Sequence, residues 1–316
     1  SAAQRASAAR QRGGGPAEAA LACAGVDGNV EVIAFEQRTN ELFAPGYLVA
    51  VDHDHGVAIV ALRGTSSVSD ALSDLTCKPA SVQLGGHSGL AHDGMWRAAE
   101  RLEGKLAELA EEALGRLVAG VGARRVIITG HSLGAGVAAL VAAQWRDRGR
   151  FAGGAVECVA FACPQVLDAE LAQAQSNHTT TVIFGDDMVP RFSLATAHDL
   201  RAAMLLLSDP ASGGLSASFG ADAILDLQTR GEEDTLAAAY DVVRPRVCTA
   251  EGRLFPSGRL VHLRQGEAPT LAALDEVDEL HISSDMAAAH MPRRYLLAVL
   301  DASAAAAGAT DSGATE

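Results

Sequence analysis

One short polar motif, Gly130-His131-Ser132-Leu133-Gly134, constrains this chain more than any other stretch, because the hydrophobic period changes on either side of it. Before it, Val126, Ile127, Ile128 and Thr129 form a β-branched run of strand type. After it the chain is rich in Ala, Val and Leu as far as Asp147 to Gly149, which predicts a buried helix. G-x-S-x-G between a strand and a helix is the pattern of a nucleophile elbow. A serine on so sharp a turn needs a strained backbone, and side chains at the flanking Gly positions would collide with strand and helix. Ser132 Oγ is then expected above the sheet, with the backbone N–H of Leu133 facing a developing oxyanion. The competing readings are an ordinary Gly-rich turn and a phosphate-cradling loop. The second is excluded because Val137 and Ala138 follow Gly136, where a P-loop needs Lys and then Ser or Thr.

A serine hydroxyl is a weak nucleophile until a base takes its proton and an acid orients that base. In an α/β-hydrolase the order along the chain is Ser, then Asp or Glu, then His. Val182-Ile183-Phe184 is a strand-like run ending in Gly185-Asp186-Asp187, so two acids compete at one strand end. Of the ten His, His131 is read as lying on the far side of the elbow from the partners of Ser132, and His92, His178 and His198 fall out of order or on loops. His262 and His281 alternate within strand-like runs. His290 follows a last strand expected over Glu279 to Ile282 and opens a helix with Pro292 in its first turn. On these grounds His290 and His281 stand level as the base.

The remaining chain sets the frame. With 316 residues, 48% of them apolar, it can bury a large core, and no stretch approaches the apolar length of a membrane span. It begins at Ser1 rather than Met, which leaves room for a targeting or membrane segment upstream. Five Cys without a C-x-x-C pair suggest reduced thiols and an intracellular setting. A net charge of −14 argues against nucleic acid as a partner and against simple electrostatic docking on anionic lipid. Residues 1–16 read as a disordered or linker segment and 303–316 as a disordered tail, bounding a domain over 17–302. A helix is expected from Ala17 to Ala24. Tyr47 to Val51 and Val57 to Leu62 read as a hairpin whose turn carries His53 and His55, without a third metal ligand nearby. Arg63-Gly64-Thr65-Ser66-Ser67 follows, and Val68, Ala71, Leu72 and Leu75 lie at the spacing of a short amphipathic helix, either core packing or a lid.

Together, RGTSSVSDALSDL and GHSLGAG resemble the class 3 lipase family, which includes fungal triacylglycerol lipases and sn-1-specific diacylglycerol lipases. Ala91-His92-Asp93-Gly94-Met95 is similar to the family's A-H-x-G-M segment, VIFGDDMVPRF to its D-x-V-P-R segment, LFPSGRLVHL to L-Y-P-P-G-R, and the segment ending HMPRRY to D-H-M-P-x-Y. The likeness runs in order from about Tyr47 to Leu300. It implies an α/β-hydrolase fold, a mostly parallel central sheet flanked by helices with a lid or insert. It implies Asp187 as the acid, immediately before Met188-Val189-Pro190, His290 as the base, and Thr65 beside Leu133 as the second oxyanion donor. Cys163, in Phe161-Ala162-Cys163-Pro164, would line an acyl pocket, and residues 201–246 would be a gating insert or an ordinary helical cap. One departure is Ala289, where the family carries Asp before the His; Asp285 lies further back.

The resemblance implies a serine lipase cleaving a glycerolipid ester at a membrane or lipid-droplet surface, with the sn-1 ester of diacylglycerol foremost. Phospholipase A1, galactolipase or soluble-ester activity on the same fold remains open, as does a non-catalytic lipid-binding scaffold. Such acyl transfer requires no metal or organic cofactor, and no acidic loop has calcium-ligand spacing.

Overall fold

The computed structural model describes residues 28–37, 45–64, 77–117, 124–151, 156–208 and 252–312, with isolated positions between 15 and 26 and at 247. Thr65, the amphipathic segment Val68–Leu75, the linker as far as residue 14 and the insert from 209 to 246 lie outside the described residues. In chain order come β1 (Val30–Glu36), β2 (Tyr47–Asp52), β3 (Val57–Leu62), β4 (Pro79–Leu84), β5 (His87–His92), α1 (Asp93–Arg116), β6 (Arg125–His131) and α2 (Leu133–Asp147). They are followed by β7 (Val156–Phe161), α3 (Ala169–Ala174), β8 (Thr179–Phe184), α4 (Leu194–Ser208), β9 (Arg259–Leu263), β10 (Thr270–Ala272) and α5 (Pro292–Ser312).

Eight strands form one sheet in the order β1-β2-β3-β6-β7-β8-β9-β10, and β4 and β5 form a separate hairpin. From β3 through β9 every pairing is parallel, while β1, β2 and β10 join antiparallel at the edges. The central strands are β-branched and apolar because helices cover both of their faces. Alternation then divides the side chains between two cores. Val126, Ile128, Val156, Cys158 and Ala160 pack with α1 and α2 in the larger core. Val159, Phe161, Val182, Phe184, Val261 and Leu263 face the other way and pack with Tyr295, Ala298 and Val299 of α5. α2 is buried along nearly its whole length, as its small and aliphatic composition requires.

The turn after β2 is held by Asp52, whose Oδ1 accepts the N–H groups of Asp54 and His55 at 3.0 Å. His55 contacts Asp52 at 2.8 Å and His53 reaches Glu31 at 3.1 Å, so the two imidazoles serve separate carboxylates.

Two expectations are corrected. Glu279 to Ile282 is not a strand. Just upstream, the carbonyls of Glu276, Val277 and Asp278 are taken by the side chains of Arg191, Gln165 and Arg253, which hold this segment in place of a ladder. The expected tail from 303 is also wrong as far as Ser312, because α5 continues through it.

Candidate active site

β6 ends in His131, and the chain reverses at Ser132 with φ 58° and ψ −129°, backbone angles that an L-residue adopts only under strain. Glycine is obligatory on both sides. A Cβ on Gly130 would fall 2.4 Å from the carbonyl of Gly134, and one on Gly134 would fall 2.5 Å from the carbonyl oxygen of Leu62. Elbow and β3 are therefore in backbone contact, and the loop leaving β3 stays close. A Cβ on Gly64 would lie 2.5 Å from the His131 carbonyl oxygen and 3.4 Å from Ser132 Cβ. Thr65 is the next residue, outside the described ones. Leu133 opens α2, where the first N–H groups have no acceptor within the helix.

Three side chains distant in sequence meet above this elbow. His290 Nε2 lies 3.0 Å from Ser132 Oγ, and His290 Nδ1 lies 3.0 Å from both oxygens of Asp187. A carboxylate only accepts, so Nδ1 carries the proton and Nε2 is left to accept from the serine hydroxyl. Asp187 follows β8, is fully buried, and also accepts the Val189 N–H at 2.9 Å. Asp186 beside it is exposed. His290 caps the one-turn helix Met286–Ala289 immediately before α5.

The other candidates are elsewhere. His262 donates to or accepts from nothing at the elbow; its Nε2 is 2.8 Å from the Gly185 carbonyl. His281 lies against Arg191 at 3.5 Å. Cys163 is buried with its thiol pushed up to about 12, chiefly by burial, which removes it as a nucleophile near neutral pH. Asp285, the displaced counterpart of the family's Asp, is exposed and pairs with Arg294 at 3.6 Å.

His131 does not lie on the far side of the elbow from the partners of Ser132, as the sequence suggested. Its ring centroid is 4.8 Å from that of His290. As the odd member of the β6 alternation it faces the sheet side covered by α5, the side from which His290 arrives. Burial, and next the neighbouring His290 charge, lower its pKa to about 4, so it is a neutral wall against the His290 imidazole. Its Nε2 has no hydrogen-bond partner among the described residues. Tyr295 was also missed. Its hydroxyl donates to Asp187 Oδ2 at 2.5 Å. The available signals were the Tyr that closes the H-M-P segment of the family pattern and its place as the single aromatic of α5.

A serine hydroxyl bonded to an imidazole that is in turn bonded to a buried carboxylate has the arrangement needed for acyl transfer. Residues 59–197 match the family described as lipase (class 3). Human diacylglycerol lipase-alpha is 30% identical over 289 residues, covering 82% of this chain and 27% of that protein. Secreted mono- and diacylglycerol lipase A of Penicillium cyclopium is 27% identical over 175 residues, covering 54% of each. A solved structure of a Rhizomucor miehei lipase with its propeptide has a TM-score of 0.46 at 19% identity, covering 54% of this chain and 53% of that one. The chain thus spans little more than a quarter of the human relative's length. The matched segment runs from β3 through the elbow and the Asp187 loop to the start of α4, so over residues 59–197 the chain carries a domain of the lipase (class 3) family.

Proposed function

We propose that this chain is a serine hydrolase that cleaves an acyl ester of a glycerolipid, and that its preferred substrate is diacylglycerol, cut at the sn-1 position. The observation that carries the chemistry is the continuous hydrogen-bonded line from Ser132 Oγ through His290 to Asp187. His290 takes the proton as Ser132 Oγ attacks the ester carbonyl, and Asp187 stabilises the imidazolium that forms. The N–H of Leu133, with Thr65, receives the negative charge on the carbonyl oxygen. Collapse of the tetrahedral species expels the glycerol oxygen, which takes the proton from His290. Water, deprotonated by His290, then attacks the acyl-enzyme and releases the fatty acid and free Ser132. No step calls on a metal or an organic cofactor. The substrate class is supported by the relative named a diacylglycerol lipase, and the sn-1 choice by the resemblance of the D-x-V-P-R and H-M-P segments.

The test is fatty-acid release from mixed-chain diacylglycerol in detergent micelles, beside phosphatidylcholine, galactolipid and a soluble short-chain ester, for wild type and Ser132→Ala. The expected result is sn-1 cleavage of diacylglycerol and a variant at least about 10³-fold slower. Preference for another lipid would overturn the substrate, and activity persisting in Ser132→Ala would overturn the mechanism.

A further inference from the structure

Tyr295 lies on α5, five residues beyond His290, and is almost fully buried. Its ring meets His131 edge-on at 5.5 Å and packs near Phe161 and Phe184 at 6.2 and 6.1 Å. Packing alone would be served as well by Phe. The phenol oxygen, however, is used twice: it donates to Asp187 Oδ2 at 2.5 Å and accepts the Phe184 N–H at 3.2 Å. Phe184 ends β8, and Asp187 stands three residues later, so the hydroxyl ties the strand end to the carboxylate that follows it.

We propose that Tyr295 is a positioning residue for Asp187: its hydroxyl locks the carboxylate in the orientation that receives His290 Nδ1–H and draws off part of its charge. This inference rests on the proposed reading of Ser132, His290 and Asp187. A carboxylate turns easily about its last torsion, and the fully buried Asp187 is out of contact with bulk solvent. Oδ1 is fixed by the Val189 N–H and shares the imidazole with Oδ2; among the described residues Oδ2 has only Tyr295 besides. Burial first, and then the Asp187 charge, push the phenol well above its ordinary range, so it remains a donor across the working pH range. The other titratable or charged groups facing this cluster are His131 from β6, Asp186 and Arg191 around the Asp187 loop, and Cys163 beyond β7.

The phenol and the imidazolium compete for the same carboxylate charge. Removing the phenol donor makes Oδ2 a stronger acceptor, so the imidazolium persists to higher pH and the base is disabled over a wider acid range. The readout is the pH dependence of covalent labelling of Ser132 by a fluorophosphonate, which needs no knowledge of the lipid, with kcat and KM on a soluble ester alongside. In Tyr295→Phe the labelling rate and kcat should fall about tenfold, the scale of one lost charge-assisted hydrogen bond, with KM unchanged and the acid limb displaced upward. Replacing the tyrosines with 3-fluorotyrosine, a stronger donor with the same ring packing, should displace the limb downward. An unmoved limb in both proteins would overturn the role, as would a rate loss that merely follows the loss of folded protein. Ser132→Ala, run in parallel, separates the two ideas. If it still labels and turns over, the reading of the site fails; if it is inert while Tyr295→Phe behaves as wild type, only the Tyr295 role fails.

Discussion

At the scale of single residues, His131 shows what a polar group costs when the fold takes it from water. In the unfolded chain its imidazole takes a proton near 6.5; in the folded chain it does so only at about 4. Between those values the unfolded chain binds more protons, so stability is lost as pH falls from about 6.5 to about 4 and is unaffected by this group above that window. The melting temperature of His131→Gln should therefore decline less steeply than wild type across that window. Equal slopes would mean that His131 is not held neutral. The same residue marks where sequence reading stops. Ser132 was legible from its motif, and Asp187 and His290 from chain order once the family resemblance chose between Asp186 and Asp187 and between His281 and His290. The positions of His131 and Tyr295 depend on α5 crossing the second face of the sheet, a long-range packing fact that no local period records.

At the scale of elements, strand, turn and helix around Ser132 were all legible, because the change from β-branched residues to small helix formers coincides with glycines that have a steric reason. Those reasons differ among the three glycines of the turn and first helical residues. Alanine at Gly134 would drive its Cβ to 2.5 Å from the Leu62 carbonyl oxygen and 2.7 Å from the Arg63 carbonyl carbon, and a strand backbone cannot yield without breaking its ladder. At Gly136 the nearest atoms are Met95 Sδ at 2.6 Å, Val166 Cγ1 at 3.0 Å and Pro164 Cγ at 3.1 Å; the flexible Met can turn aside. Gly134→Ala is thus expected to cost roughly 3 kcal/mol and abolish Ser132 labelling. Gly136→Ala should stay within about 1 kcal/mol of wild type, since better helix propensity offsets the crowding. Urea denaturation of both variants measures the difference, and equal losses would refute the distinction. The region after β10 was misread for a related reason. Alternation in Glu279 to Ile282 resembles a strand, but Arg191, Gln165 and Arg253 come from remote positions to bind the carbonyls just before it.

At the scale of the whole molecule, the formal charge of −14 bears on how the proposed lipase would meet a lipid surface. A folded chain of this length has a radius of about 20 Å. At about 0.01 M salt the screening length is roughly 30 Å, so an approaching anionic surface experiences the entire negative charge and repels it. At about 0.15 M the length falls to roughly 8 Å, and only the nearest side chains count. Near His290 these include the exposed Arg293 and Arg294, beside the exposed apolar Met291, Leu296 and Leu297. Raising the salt removes the long-range repulsion before it weakens such close contacts. Hydrolysis of diacylglycerol in micelles containing an anionic lipid should therefore rise several-fold between those two salt concentrations, while the rate in uncharged micelles stays nearly constant. A rate that instead falls with salt on the anionic surface would mean that the local arginines govern docking already at long range, and that net charge is the wrong quantity from which to reason about this encounter.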